Sequence, residues 1–158
     1  MPIYSRTTLT KATQSLLDPL STSSDLPTLL NAFTTVPAPT AHEHGLSQLA
    51  PFLGRTFTGR DQVEEYFTLL NENLRIESMR FDDEKEWAAD LETGLVCLKG
   101  YARFVSKKSG EGWDEVFIYR IGLVEDEEKK EVKVRSYEIW ADTGAAYLAA
   151  KGELGSSL

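Results

Sequence analysis

The chain has 158 residues, 41 % of them hydrophobic, with a net charge of −8 and a single cysteine. This length and composition describe one domain able to bury its own core and exclude a disordered chain, while the acidic balance excludes a phosphate-backbone partner, which requires a basic footprint. Cys97 alone excludes an internal disulfide framework and a Cys-based zinc site, and no apolar run approaches the roughly 18 residues of a membrane span, so a soluble cytoplasmic protein without a signal segment is expected.

In chain order, residues 7–17 predict a helix with Leu9, Ala12, Leu16 and Leu17 on one face. After a Ser/Thr-rich joint, Ser24 or Asp25 can cap a second short helix carrying Leu26, Leu29, Leu30 and Phe33. Thr34 to Leu53 holds Pro37, Pro39 and Pro51 and both histidines, and reads as loop with room for one short edge strand. A third helix starts at Thr58-Gly59-Arg60-Asp61, with Asp61 as the expected N-cap, and runs to about Asn73 through Val63, Tyr66, Phe67 and Leu70.

From there the period drops to two. Strands are expected at 74–82, 94–107, 112–124 and 130–141, with a turn or short strand near Trp87. Ser109-Gly110 and the charged run Glu125 to Lys130 supply the hairpin turns. Asp142-Thr-Gly opens a last helix at Ala145 to Ala150, and 152–158 reads as a frayed tail of a single 1–158 domain. Helices first and long antiparallel strands after define an α+β fold with the helices on one face of the sheet.

Strand parity then assigns faces. Pairing the strands about the two turns puts Val96, Leu98, Gly100, Ala102, Phe104, Trp113, Phe117, Tyr119, Ile121, Val132, Val134 and Trp140 toward the helices, together with Glu115, Glu138 and Asp142. Gly100 and Ala102 are small, and a dry core does not accept three carboxylates, so this face is expected to enclose a polar-tipped pocket. Each glutamate alone also fits a wet strand end. The opposite face would carry Tyr101, Val116, Ile118, Tyr137 and Ile139, an apolar patch expected to pair two copies as a homodimer.

His42 and His44, in Ala-His-Glu-His-Gly, could point the same way from a strand, but no second ligand cluster accompanies them and no metal site is expected. His44 as a pocket base stands beside a plain loop histidine. Asp142 is the first catalytic candidate, and equally a natural cap for the last helix. Tyr66, Trp87, Trp113, Phe117, Tyr119 and Trp140 are the expected pocket walls, with Glu115 and Glu138 at its polar tip. No nucleophile elbow, phosphate loop or dinucleotide fingerprint is present.

Gly54-Arg-Thr-Phe-Thr-Gly59-Arg-Asp-Gln-Val63 with Tyr66-Phe67, Gly100-Tyr-Ala-Arg-Phe104, Trp113-Asp-Glu-Val-Phe117 and Glu138-Ile-Trp-Ala-Asp142 together resemble the nuclear transport factor 2 (NTF2)-like superfamily, in its SnoaL-like branch, over about residues 40–150. The resemblance implies a cone-shaped, cystatin-like roll, a curved antiparallel sheet wrapped on N-terminal helices around an internal pocket, and a dimer. It also implies an acid/base role for an aspartate near a strand-end tryptophan, although here Trp140 precedes Asp142 by two residues where SnoaL-like cyclases have a longer spacing. Two functions remain open: a cofactor-independent isomerase, cyclase or dehydratase acting on an apolar carbonyl-bearing substrate, or a non-catalytic ligand-binding or dimeric interaction module.

Overall fold

The computed structural model describes residues 3–155. The elements run α1 (Arg6–Ser21), α2 (Leu26–Leu30), β1 (Thr40–His44), β2 (Thr56–Thr58), α3 (Arg60–Asn73), β3 (Leu74–Phe81), a 3-10 turn at Glu84–Glu86, β4 (Ala88–Asp90), β5 (Leu95–Ser106), β6 (Gly112–Glu125), β7 (Val132–Trp140) and α4 (Thr143–Ala150). The seven strands form one curved, unclosed sheet in the order β2-β1-β7-β6-β5-β3, with β4 also paired to β5. Every pairing is antiparallel except β1 with β7. The architecture is the expected α+β cone, with α1 packed on β3, β6 and β7 and α3 on β1, β2 and β3.

Helix α1 is longer than its apolar stripe predicts. Ser5 accepts from the Thr8 N–H at 3.1 Å, and the buried stripe Leu9, Leu16, Leu17 carries on past Pro19 to Leu20. Pro19 has no N–H for the carbonyl four residues back, and the helix carries that loss within its final turns. Asp25 caps α2, accepting from Thr28 N–H at 2.8 Å, but α2 stops at Leu30 and Phe33 instead bridges to Val134 on the sheet. Asp61 is not a cap: Gly59, at φ +90°, occupies that position without a side-chain bond, and Asp61 sits in the first turn. The segment read as loop with an edge strand holds β1 in the sheet interior, between β2 and β7, and β2 itself gave no sequence signal. Of the expected tail, Leu154 and Gly155 donate to Glu111 at 3.1 and 3.0 Å; residues 156–158 lie outside the described residues.

Two strand irregularities decide which residues look inward. The β5–β6 pairing keeps the expected parity, with Gly100 opposite Phe117 and Ala102 opposite Glu115. A Cβ on Gly100 would overlap the Phe117 ring, so this glycine admits a ring and does not open free volume. In β7, Gly122 pairs with Ser136 while Leu123 pairs with Val134, leaving Arg135 as an extra residue. This bulge reverses the parity of everything after it. Tyr137 and Ile139 therefore turn inward and are buried, whereas Glu138 and Trp140 turn to the convex face, the reverse of the expected arrangement.

Candidate functional site

The inner ends of β1, β6 and β7, the last turns of α3 and the start of α4 enclose a cavity. Its walls are Phe52, Leu74, Ile76, Met79, Phe104 and Phe117, with Trp113, Tyr119, Tyr137, Ile139 and Ala146 completing them. The space between these walls is about 510 Å3 counting its open mouth, and aromatic rings crowd it from several sides. The cavity is thus narrow and largely apolar, with its polar groups gathered in two clusters.

The first cluster centres on Glu43, which sequence reasoning passed over. In β1, Ala41 and Glu43 face inward and are buried, while His42 and His44 face out. The Tyr66 hydroxyl donates to Glu43 Oε1 at 2.6 Å from the facing side of α3. Burial pushes the Glu43 carboxyl up to about 7, opposed by the Tyr66 hydrogen bond and assisted by the charge of Glu115. Beside it the Tyr119 and Tyr137 rings pack edge to face, 4.9 Å between centres, and burial raises both hydroxyls well above the ordinary phenol range. Phe57, Phe67 and Tyr137 pack edge-on or stacked around the ring network and fix the Tyr66 ring.

The second cluster ties the mouth together. Trp113 Nε1 donates to Glu115 Oε1 at 2.7 Å, and the Asp142 backbone N–H donates to Glu115 Oε2 at 3.2 Å. Burial raises the Glu115 carboxyl, with these two hydrogen bonds opposing and the charge of Asp142 adding to the rise. Asp142 lines the cavity, and its Oδ1 accepts from Ala145 N–H at 3.0 Å, capping α4.

The structure therefore brings Tyr66, Trp113, Glu115, Phe117, Tyr119 and Asp142 together around one cavity. It does not bring His44, Trp87, Glu138 or Trp140 there. Trp87 is buried beside α1, its indole N–H donating to the Asp82 carbonyl at 2.8 Å. The other three form a cluster on the convex face. His44 stacks on Trp140 at 4.1 Å between ring centres, its Nε2 lies 3.1 Å from Glu138 Oε1, and Arg120 holds Glu138 Oε2 at 2.7 Å. Burial works against ionisation of Glu138, but the hydrogen bonds from Arg120 and His44 outweigh it and hold the carboxyl low. For these three the cause is shared: β1 pairs in parallel register with the bulged end of β7, placing His44 opposite Trp140 and both on the outside.

No family model matches the sequence, and no curated protein sequence matches it. The fold has clear structural counterparts. An NTF2-like protein from Burkholderia xenovorans LB400 superposes with a TM-score of 0.66 at 16 % identity, covering 92 % of this chain and 98 % of that one. A candidate SnoaL-like polyketide cyclase from Jannaschia sp. CCS1 gives 0.67 at 14 % identity, over 91 % and 92 %. A candidate isomerase from Bacillus subtilis gives 0.68 at 7 % identity, over 93 % and 94 %. The chain has the NTF2-like fold.

Proposed function

We propose that the protein is a cofactor-independent enzyme that moves a proton on an apolar, carbonyl-bearing small molecule, with Glu43 as the acid/base. The observation that carries this is a buried carboxyl, raised to about 7, held by Tyr66 on the wall of an otherwise apolar cavity. A general base works best when its pKa lies near the working pH, and burial has brought a glutamate there. In the reaction, ionised Glu43 takes a proton from the carbon beside the substrate carbonyl, and the C–H electron pair moves into an enolate. Tyr119, its hydroxyl kept protonated by burial, donates to the developing enolate oxygen. Return of the proton from Glu43 to a different carbon completes an isomerisation with no redox change. Asp142 and Glu115 serve on this reading as positioning residues, because their carboxylate oxygens hold α4 and its first turn. The isomerase and cyclase descriptions of structural counterparts support the reaction class.

The test is hydrogen–deuterium exchange followed by NMR, using a panel of β,γ-unsaturated ketones and 1,3-diketones in D2O. The wild-type protein should accelerate exchange at the carbon beside the carbonyl, rising with pH through about 7. Glu43→Gln should lose about 10²–10⁴-fold, the usual share of a positioned acid/base. Undiminished exchange in that variant would remove Glu43 from the chemistry. The narrowness of the cavity favours a second reading, a protein that binds a slender apolar ligand without turning it over. On either reading we propose a homodimer through the convex face.

A further inference from the structure

A groove leaves the cavity mouth between α4 and the Ser47–Phe52 loop. Phe52, Leu74 and Ala146 line both spaces, so the groove adjoins the cavity across these three side chains. Along the groove the apolar floor continues through Leu49, Ala50 and Ala150, and the charged groups on its walls are Lys108 and Lys151. Among the described residues no acidic side chain lines it. This is unusual ground on a chain with 25 acids against 17 Lys and Arg.

We infer that this groove holds the carboxylate of an amphipathic acid whose apolar chain enters the cavity, so that the ligand of the proposed site is an apolar carboxylic acid. The inference rests on the cavity being a ligand site. Both lysines are exposed: Lys108 makes no ion pair among the described residues, and Lys151 lies over the Tyr147 ring at 5.2 Å and meets Glu153 in a loose, half-exposed contact at 3.5 Å. An exposed pair of that kind is worth little, so a ligand carboxylate can replace it. Neighbouring Lys107 is not available, since its ammonium donates to the Asn71 carbonyl. A lysine on a long stem is a mobile point charge, suited to a carboxylate whose position varies with chain length. The cavity interior argues for the same orientation. Glu43 and Glu115 line it, and either, once ionised, repels a second carboxylate, so the charged end of the ligand stays at the mouth and the apolar end goes in.

The experiment is isothermal titration calorimetry of hexanoate, octanoate and decanoate against hexanol, octanol and decanol, on the wild-type chain and on a Lys108→Gln/Lys151→Gln variant. The wild type should bind each acid more tightly than its alcohol, with the gap closing as salt is added. The double variant should lose about tenfold on the acids, the scale of one charge-assisted contact, and nothing on the alcohols. Alcohols bound as tightly as acids, or acids indifferent to the double substitution, would overturn the carboxylate assignment while leaving the cavity as a ligand site. Absence of binding by every acid and alcohol would overturn the assignment and the apolar-ligand reading together.

Discussion

At Glu43 the fold holds a carboxyl at 7 % exposure with one phenol as its partner. Its pKa in the folded chain lies above the unfolded value, about 7 against 4.5. Below pH 4.5 both states are protonated and the placement costs nothing; between 4.5 and about 7 only the unfolded chain releases the proton, so stability falls as pH rises. The loss levels off above about 7, at roughly 3 kcal/mol by the usual conversion of about 1.4 kcal/mol per unit. Glu43→Gln keeps an acceptor for Tyr66 and has nothing to ionise. In urea denaturation at a series of pH values, the variant should gain on the wild type by about that amount between pH 4.5 and about 7. Parallel pH curves for the two proteins would rule out a buried, reluctant carboxylate. Glu43 was readable from the sequence, although the two histidines beside it drew the chemical argument. Once His42 and His44 are placed on one strand face, Ala41 and Glu43 share the other, and Ala41 marks which face is buried.

Among the elements, β7 shows what a period-two pattern carries and where it fails. The strands β5 and β6 alternate cleanly, so Val96, Leu98, Phe104, Phe117, Tyr119 and Ile121 fall inward as their pattern predicts. In β7 the leftover Arg135 breaks the count, and every face assignment beyond it inverts. The signal for this lay on the neighbouring strand. Gly122 interrupts an apolar run, and a Cβ there would overlap the Ser136 hydroxyl, as expected where a bulge brings a partner close. β2 is a different case: three residues paired at a sheet end carry too short a pattern to read. Helix α4 is legible through its cap but not through its clamp. Glu115 accepts from both Trp113 Nε1 and the Asp142 N–H, a contact between residues 27 positions apart in the chain. In Glu115→Gln, whichever way the amide turns, one of these two donors loses its acceptor, at a cost of about 1–3 kcal/mol. Amide hydrogen exchange in α4 should accelerate in that variant while exchange in the centre of β5 and β6 stays unchanged; equal protection of α4 in both proteins would show that Glu115 does not hold it.

For the whole molecule, the inverted end of β7 moves the proposed dimer interface without abolishing it. Tyr137 and Ile139 leave the convex face, and Trp140 arrives, joining Val116 and Ile118 as exposed large apolar residues at 43, 56 and 39 %. Ile118 lies directly across from Trp140, and Val116 across from Tyr101, so the four side chains form one patch. Around it stand Arg80, stacked on Tyr101, and Lys99 on one side, and Arg120, Glu138 and His44 on the other. An apolar centre with tryptophan, tyrosine and arginine inside a charged rim is the composition of a protein interface. A two-fold axis running along the strands would set the Arg80–Lys99 side of one copy against the Arg120–Glu138–His44 side of the other, with the apolar centres stacked. Ile118→Glu places a carboxylate at the centre of this patch, and within its own chain it faces Lys99, so the monomer should fold normally. Light scattering should then report a dimer for the wild type and a folded monomer for the variant, whose melting falls only by what association contributes. Tyr137→Glu should behave differently. Tyr137 is 2 % exposed and packed against Phe33, Phe67 and Tyr119, so an acid there should cost well over 3 kcal/mol and unfold the chain. A wild-type monomer, or an Ile118→Glu dimer as tight as the wild type, would leave the convex patch without a partner of its own kind.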